Sequence, residues 1–120
     1  MANELTVTGS ISFTKLPVSL ISMSEPGKTF DVAGAKYVRG VQNIGIAAEA
    51  ILLGDVATPG WFFIKNLDPT NFVQILTALA GAAFLKLKPG ESAIGRFAVA
   101  APAALANVAP GNIEYLILED

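Results

Sequence analysis

Short runs in which apolar and polar residues alternate, separated by turns rich in glycine and proline, dominate this sequence. In the first run, residues 4–13, Leu5, Val7, Ile11 and Phe13 occupy odd positions, whereas the even positions are polar. A period of two places successive side chains on opposite faces of a β-strand. About eight such runs occur, at spacings typical of sandwiches and barrels. The sequence therefore predicts an all-β fold, a single β-sandwich, with the jelly roll as one candidate topology.

The chain of 120 residues has the length of one compact domain. We therefore expect residues 1–120 to form a single β-sandwich domain, in which residues 1–36 provide an N-terminal strand or an arm used in assembly. Pro17 indicates a bend or an edge strand. The run SEPGK, residues 24–28, predicts a turn, because proline fixes φ and glycine accepts positive φ.

Three later segments are less regular. Residues 36–55 combine an alanine-rich run that could form a helical turn with strand-like flanks, and the glycines favour strand, loop, strand. Residues 100–110, AAPAALANVAP, predict a loop or irregular edge, because Pro102 and Pro110 interrupt any helix. The terminal run NIEYLILED is apolar on both faces, so we expect this strand well inside a sheet.

Composition excludes many functions. The chain has no cysteine and no histidine, so thiol nucleophiles, thiolate metal sites and the usual acid–base residue are absent. Basic residues are scattered along the sequence and the net charge is −2, so the sequence predicts no basic patch that would bind the phosphates of a nucleic acid. No apolar run approaches the ~20 residues that cross a bilayer, and the N-terminus lacks a signal-peptide pattern. These features predict a protein made in the cytoplasm that binds neither nucleic acid nor membrane.

No constellation for catalysis or for a cofactor is evident. Glu119 and Asp120 are adjacent carboxylates, but alternation along a strand sends them to opposite faces, which disfavours a shared metal ion. Gly40, Gly45 and Gly54 lack the lysine and hydroxyl residues of a phosphate-binding loop. We therefore expect a non-enzymatic protein without catalytic, metal-binding or cofactor-binding residues.

The run GWFFIKNLDPTNFVQI, residues 60–75, predicts two strands joined as a hairpin by a polar corner. Asp68 and Asn71 can bond to nearby backbone groups, and Pro69 fixes one turn dihedral, so the polar residues have a structural role. Both faces of the first strand carry large apolar groups, as expected if the core covers one face and a partner the other. The candidate structural or interface residues are Trp61, Phe62, Phe63, Asp68, Asn71, Phe72 and Tyr115.

The order of motifs between Tyr37 and Asp120 resembles that of small virion proteins of tailed bacteriophages. The motifs are YVRGVQNIGIAAEAILLGDV, PGWFFIKNLDPTNFVQI, FLKLKPGE and IEYLILED. The first 36 residues carry no shared signature. The resemblance implies a β-sandwich structural protein on the capsid surface, without catalytic residues, of the decoration or cement type that stabilises the head by binding between coat subunits.

The implied partner is the major capsid protein, and we expect a homo-oligomer, with a trimer favoured. Contacts between copies are expected at residues 100–110 or at the N-terminal strand, where small residues permit close approach. Two alternatives remain open. The chain could belong to a phage tail, neck or fibre, or it could be a small carbohydrate-binding module in which Tyr37, Trp61 or Tyr115 stacks on sugar rings.

Overall fold

A computed structural model of the chain describes residues 4–15, 18–108 and 110–120. Within these residues the chain forms ten β-strands and no helix, which confirms the predicted all-β class. The strands belong to two compact units, one spanning Met1–Ala33 and the other Gly34–Asp120.

The first unit is a β-hairpin, in which β1 (Leu5–Lys15) pairs antiparallel with β2 (Val18–Phe30). The turn predicted at residues 24–28 is wrong, because these residues lie inside β2. Gly27 has a φ of 66°, and the register shifts between Val7 and Gly9, so the Pro-Gly pair forms a β-bulge rather than a chain reversal. The bend predicted at Pro17 falls outside the described residues.

The second unit is a sandwich of two four-stranded antiparallel sheets. Sheet I has the strand order β3-β10-β5-β8, and sheet II has the order β4-β9-β6-β7. The strand bounds are β3 Tyr37–Ile44, β4 Glu49–Ala50, β5 Pro59–Asn66, β6 Val73–Leu76, β7 Ala83–Leu87, β8 Ser92–Arg96, β9 Ala103–Ala106 and β10 Gly111–Glu119.

The pairing of these eight strands is nested. β6 pairs with the following β7, and around this central hairpin β5 pairs with β8, β4 with β9 and β3 with β10. Successive nested pairs alternate between the two sheets. A long hairpin rolled up in this way is a jelly roll, so the sandwich has the topology that the sequence left as one candidate.

The core lies between the two sheets, because one face of each carries apolar side chains. Aliphatic residues dominate it, and three aromatic residues also lie there. Its buried residues are Ile44, Ile51, Val56, Phe62, Ile64, Val73, Ile75, Leu87, Phe97, Ala104, Ala106, Ile113, Tyr115 and Ile117.

The observed strands confirm two of the segment predictions. Residues 36–55 form β3, a loop and the short β4, as the glycines indicated. The terminal strand β10 lies between β3 and β5, inside sheet I, as its apolar faces predicted.

Two other segment predictions are wrong. Residues 103–106 form β9, an interior strand of sheet II, rather than a loop or edge. Ala104 and Ala106 are buried there as members of the core. The segment 60–75 is not a hairpin: β5 pairs with β10 and β8, whereas β6 pairs with β7 and β9. The corner therefore carries the chain from one sheet to the other.

Candidate interaction face

The corner between β5 and β6 is organised by Asp68. Its Oδ1 accepts hydrogen bonds from the backbone N–H groups of Thr70 and Asn71, both at 2.8 Å, and from the Thr70 hydroxyl. These backbone bonds stabilise the ionised carboxylate and lower the pKa of Asp68. The polar residues of the corner thus form the turn that the sequence predicted, and this role accounts for their presence.

The large side chains of β5 divide between its two faces. Phe62 is buried and stacks on Phe97 with ring centroids 4.3 Å apart, whereas Trp61 is half-buried and Phe63 is 40% exposed on the opposite face. The core therefore covers the inner face of β5, as predicted. Within the unit Gly34–Asp120, the other face of sheet I carries side chains that are exposed at least in part.

Strand register shows how this open face is built. Leu116 on β10 lies opposite Arg39 on β3 and opposite Phe63 on β5, and Phe63 lies opposite Ile94 on β8. Residues directly opposite one another share a sheet face. A continuous row therefore crosses all four strands. We call the open surface of sheet I the outer face; its members are Tyr37, Arg39, Val41, Trp61, Phe63, Lys65, Ile94, Arg96, Glu114, Leu116 and Leu118.

The centre of the outer face is apolar and its margin is charged. Phe63 and Ile94 are 40% and 45% exposed, and Val41 is 58% exposed. Beside this centre, Glu114 lies opposite Lys65, and Arg96 forms an ion pair with Asp120. Exposed apolar patches rimmed by polar groups mark interaction surfaces. Aromatic and arginine side chains are also the residue types that contribute most to binding at protein interfaces.

A shallow open depression of about 290 Å³ lies on this face. It is lined by Arg39, Phe63, Glu114, Tyr115 and Leu116. The depression offers an apolar floor with one group of each charge at its rim. Such a site suits an inserted side chain of another protein.

The side chains of the other candidate residues lie away from the outer face. Tyr115 points into the core, and its hydroxyl donates a 2.9 Å hydrogen bond to the Leu52 carbonyl oxygen. Burial raises the pKa of this phenol. Phe72 is half-buried beside sheet II, with the Lys86 ammonium 4.2 Å from its ring centroid. The buried Tyr115 ring is not available to stack on a sugar, which removes one of three rings proposed for carbohydrate binding.

Sequence reasoning missed Arg39, Ile94 and Leu116 as parts of the candidate site. Alternation within β10 places Leu116 on the face that points away from the core, and this could be predicted from the sequence. That Leu116 meets Phe63 and Arg39 depends on which strands are neighbours in the sheet. This information lies in pairings between residues far apart in the chain.

The two terminal carboxylates have separate partners. Glu119 Oε2 accepts a 3.2 Å hydrogen bond from the Ala57 N–H, whereas Asp120 pairs with Arg96. Among the described residues, no cluster of three or more acidic side chains is placed to hold a metal ion.

In residues 4–15, 18–108 and 110–120, no helix is long and apolar enough to cross a membrane.

Comparison with known proteins found no matching family model, no matching curated protein and no matching solved structure.

Proposed function

We propose that this chain is a structural protein of a bacteriophage virion, a capsid decoration or cement protein that binds between coat subunits through its outer face. The observation that carries the proposal is the apolar centre of that face, formed by Phe63, Ile94 and Leu116 on three adjacent strands. The order of sequence motifs between Tyr37 and Asp120 supports the phage assignment. A jelly-roll sandwich is a frequent fold of viral capsid domains, which adds support at the level of the fold only.

The composition of the outer face favours a partner other than a copy of the chain. Its margin carries both signs of charge, on Arg39, Lys65 and Glu114. Interfaces between proteins that also exist separately keep such polar rims, whereas permanent interfaces between copies are more apolar. A protein added to a preformed shell has a partner of the first kind.

The test uses capsids from a phage in which the gene for this chain has been deleted. Adding the purified protein should raise the temperature at which these capsids open, because a ligand that binds only the assembled shell stabilises it. The double variant Phe63→Ser, Ile94→Ser should lose this effect, with binding weakened roughly 100-fold. Leu79→Ser is the matched control, because Leu79 is 57% exposed in a turn away from the outer face.

Electron microscopy of intact particles gives the location directly. Density for the chain on the head supports the proposal. Density on the tail, neck or fibre would show that the chain belongs to that part of the virion and not to the head. Unchanged capsid stability after addition of the folded protein would count against a cement role.

A further inference from the structure

The edge of β3 that faces away from β10 has no neighbouring strand among the described residues. The direction of its backbone groups follows from one hydrogen bond. The Glu119 N–H donates to the Lys36 carbonyl oxygen at 2.9 Å, in register with the pairing of β10 and β3. Opposite residues of an antiparallel pair alternate between those that exchange hydrogen bonds and those that do not. The N–H and C=O groups of Tyr37, Arg39 and Val41 therefore point to the free edge.

A hydrogen bond on the other side of β10 agrees with this direction. The Leu67 N–H donates to the Asn112 carbonyl oxygen at 2.9 Å. Even-numbered residues of β10 therefore bond toward β5, and odd-numbered ones bond toward the even-numbered residues of β3. The free edge ends at Gly45, whose carbonyl oxygen accepts a 2.9 Å hydrogen bond from the Ala106 N–H. Between these limits, each odd-numbered residue of β3 offers one donor and one acceptor.

β3 lacks three features that commonly protect an edge strand from added strands, namely short length, proline and a bulge. Of the four edge strands in the described sandwich, β3 is the longest, with eight residues, whereas β4 has two and β7 and β8 have five each. It contains no proline, and its register with β10 has no shift. Tyr37 and Val41 are 64% and 58% exposed, so the free edge is accessible.

Arg39 lies at the centre of the free edge and carries a charge that selects the occupant. Its exposed side chain lies on the outer face, opposite Leu116. Among the described residues, the Arg39 guanidinium forms neither a hydrogen bond nor an ion pair. Glu114 lies diagonal to Arg39 but directly opposite Lys65. A carboxylate directly opposite Arg39 on an added strand completes a pair of opposite charges.

We propose that the free edge of β3 binds an extended segment of a partner protein as an added antiparallel strand, with an acidic residue of that segment opposite Arg39. Its backbone exchanges hydrogen bonds with Tyr37, Arg39 and Val41, which supplies affinity, while the side chains supply specificity. Residues directly opposite one another share a face of the sheet. The residues two positions before and after the acidic one therefore lie beside Val41 and Tyr37, where apolar side chains complete the match.

The charge of Arg39 disfavours a second copy of the chain as the occupant. Antiparallel pairing of two β3 edges over residues 37–41 places the two Arg39 side chains opposite or diagonal to each other. Like charges at these positions repel. The inference goes beyond the capsid role, because any protein that presents such a segment fits the edge. It is tested on the isolated full chain, so the two can fail separately.

The test measures the binding of synthetic peptides to the full chain by isothermal titration calorimetry. The probe is a capped nine-residue peptide with glutamate at its centre, valine two positions to either side and threonine elsewhere. It should bind with a Kd below about 1 mM, and replacing its glutamate by lysine should weaken binding roughly tenfold. The Arg39→Glu protein should show the reverse preference. No saturable binding, or equal affinity for the two peptides, would overturn the inference.

Backbone methylation of the peptide separates strand addition from other modes of binding at Arg39. In the added strand, the N–H of the central glutamate points to β3, whereas the N–H of the next threonine points away from it. N-methylation of the glutamate should weaken binding by roughly tenfold or more. N-methylation of that threonine is the matched control and should retain most of the affinity. Equal losses in the two peptides would contradict strand addition.

Amide hydrogen exchange, followed by NMR, locates the added strand on the protein. The N–H groups of Tyr37, Arg39 and Val41 should exchange more slowly when the glutamate peptide is bound, because they then donate to its carbonyl oxygens. The N–H groups of Val38 and Gly40 bond to β10 in the free protein and serve as internal controls. Unchanged exchange at the three odd-numbered residues, or protection of a different edge strand, would show that the segment does not bind at β3.

Discussion

Nδ2 of Asn66 lies 2.9 Å from the carbonyl oxygen of Leu87 and donates a hydrogen bond to it, which joins β5 of sheet I to β7 of sheet II. Asn66 is fully buried. Its amide also donates to the Asn71 carbonyl oxygen, and its Oδ1 accepts from the Asp68 N–H, both at 2.9 Å. One side chain therefore satisfies three backbone groups where the chain passes between sheets.

We expect Asn66→Ala to reduce the free energy of unfolding by roughly 3 kcal/mol, because it leaves buried backbone groups without partners. Urea denaturation of the variant would measure this loss. Asn43→Ala is the control of the same residue type. The exposed Asn43 side chain bonds to Asn112 at 3.0 Å, and its loss should cost less than about 0.5 kcal/mol. Equal losses in the two variants would contradict a structural role for the buried amide.

Phe62 and Phe63 provide a matched pair on opposite faces of one strand. Phe62→Ala removes a buried ring stacked on Phe97 and should cost about 3–5 kcal/mol. Phe63→Ala removes a ring that is already 40% exposed and should cost about 1 kcal/mol. Thermal unfolding followed by circular dichroism separates these values. A larger loss for Phe63 would mean that the assignment of inner and outer faces is inverted.

Phe62 and Phe63 also show which features of the fold could be predicted from the sequence. Alternation along β5 is sufficient to place Phe62, Ile64 and Asn66 on one face and Trp61 and Phe63 on the other. The structure places the first set in the core. Alternation is a local property, so it was available from the chain alone.

Pairing between distant strands was not available in this way. The run 60–75 has the local signals of a hairpin, yet β5 and β6 lie in different sheets. Whether β5 pairs with β6 depends on whether β10 and β8 pair with the two edges of β5 instead, and β8 and β10 lie far along the chain from β5.

At residues 24–28, the local preference for a turn was outweighed by pairing of β2 with β1 on both sides of Gly27. The prolines at 102 and 110 predict a loop or irregular edge for residues 100–110, because nothing local shows that the alanines at 103–106 pack against the opposite sheet.

Asp68 should make the stability of the sandwich depend on acid pH. Its pKa is lowered in the folded state by the N–H groups of Thr70 and Asn71, so its contribution is present above the unfolded pKa of about 4 and is lost as the pH falls through the lower folded value. Urea midpoints between pH 5 and pH 2 should therefore fall less steeply for Asp68→Asn than for the wild type. An unchanged slope in Asp68→Asn would show that the corner does not require the charge.

Tyr115 should produce the opposite dependence at alkaline pH. Burial raises the pKa of its hydroxyl, so the folded state holds this proton more tightly than the unfolded chain, whose tyrosines titrate near a pKa of about 10. The contribution to stability is full below that value and is lost as the pH rises through the folded pKa. At neutral pH, Tyr115→Phe should cost about 1 kcal/mol through loss of the hydrogen bond to Leu52. Above pH 10, urea midpoints of this variant should decline less than those of the wild type. An equally steep decline in Tyr115→Phe and in the wild type would show that the alkaline transition does not originate at this hydroxyl.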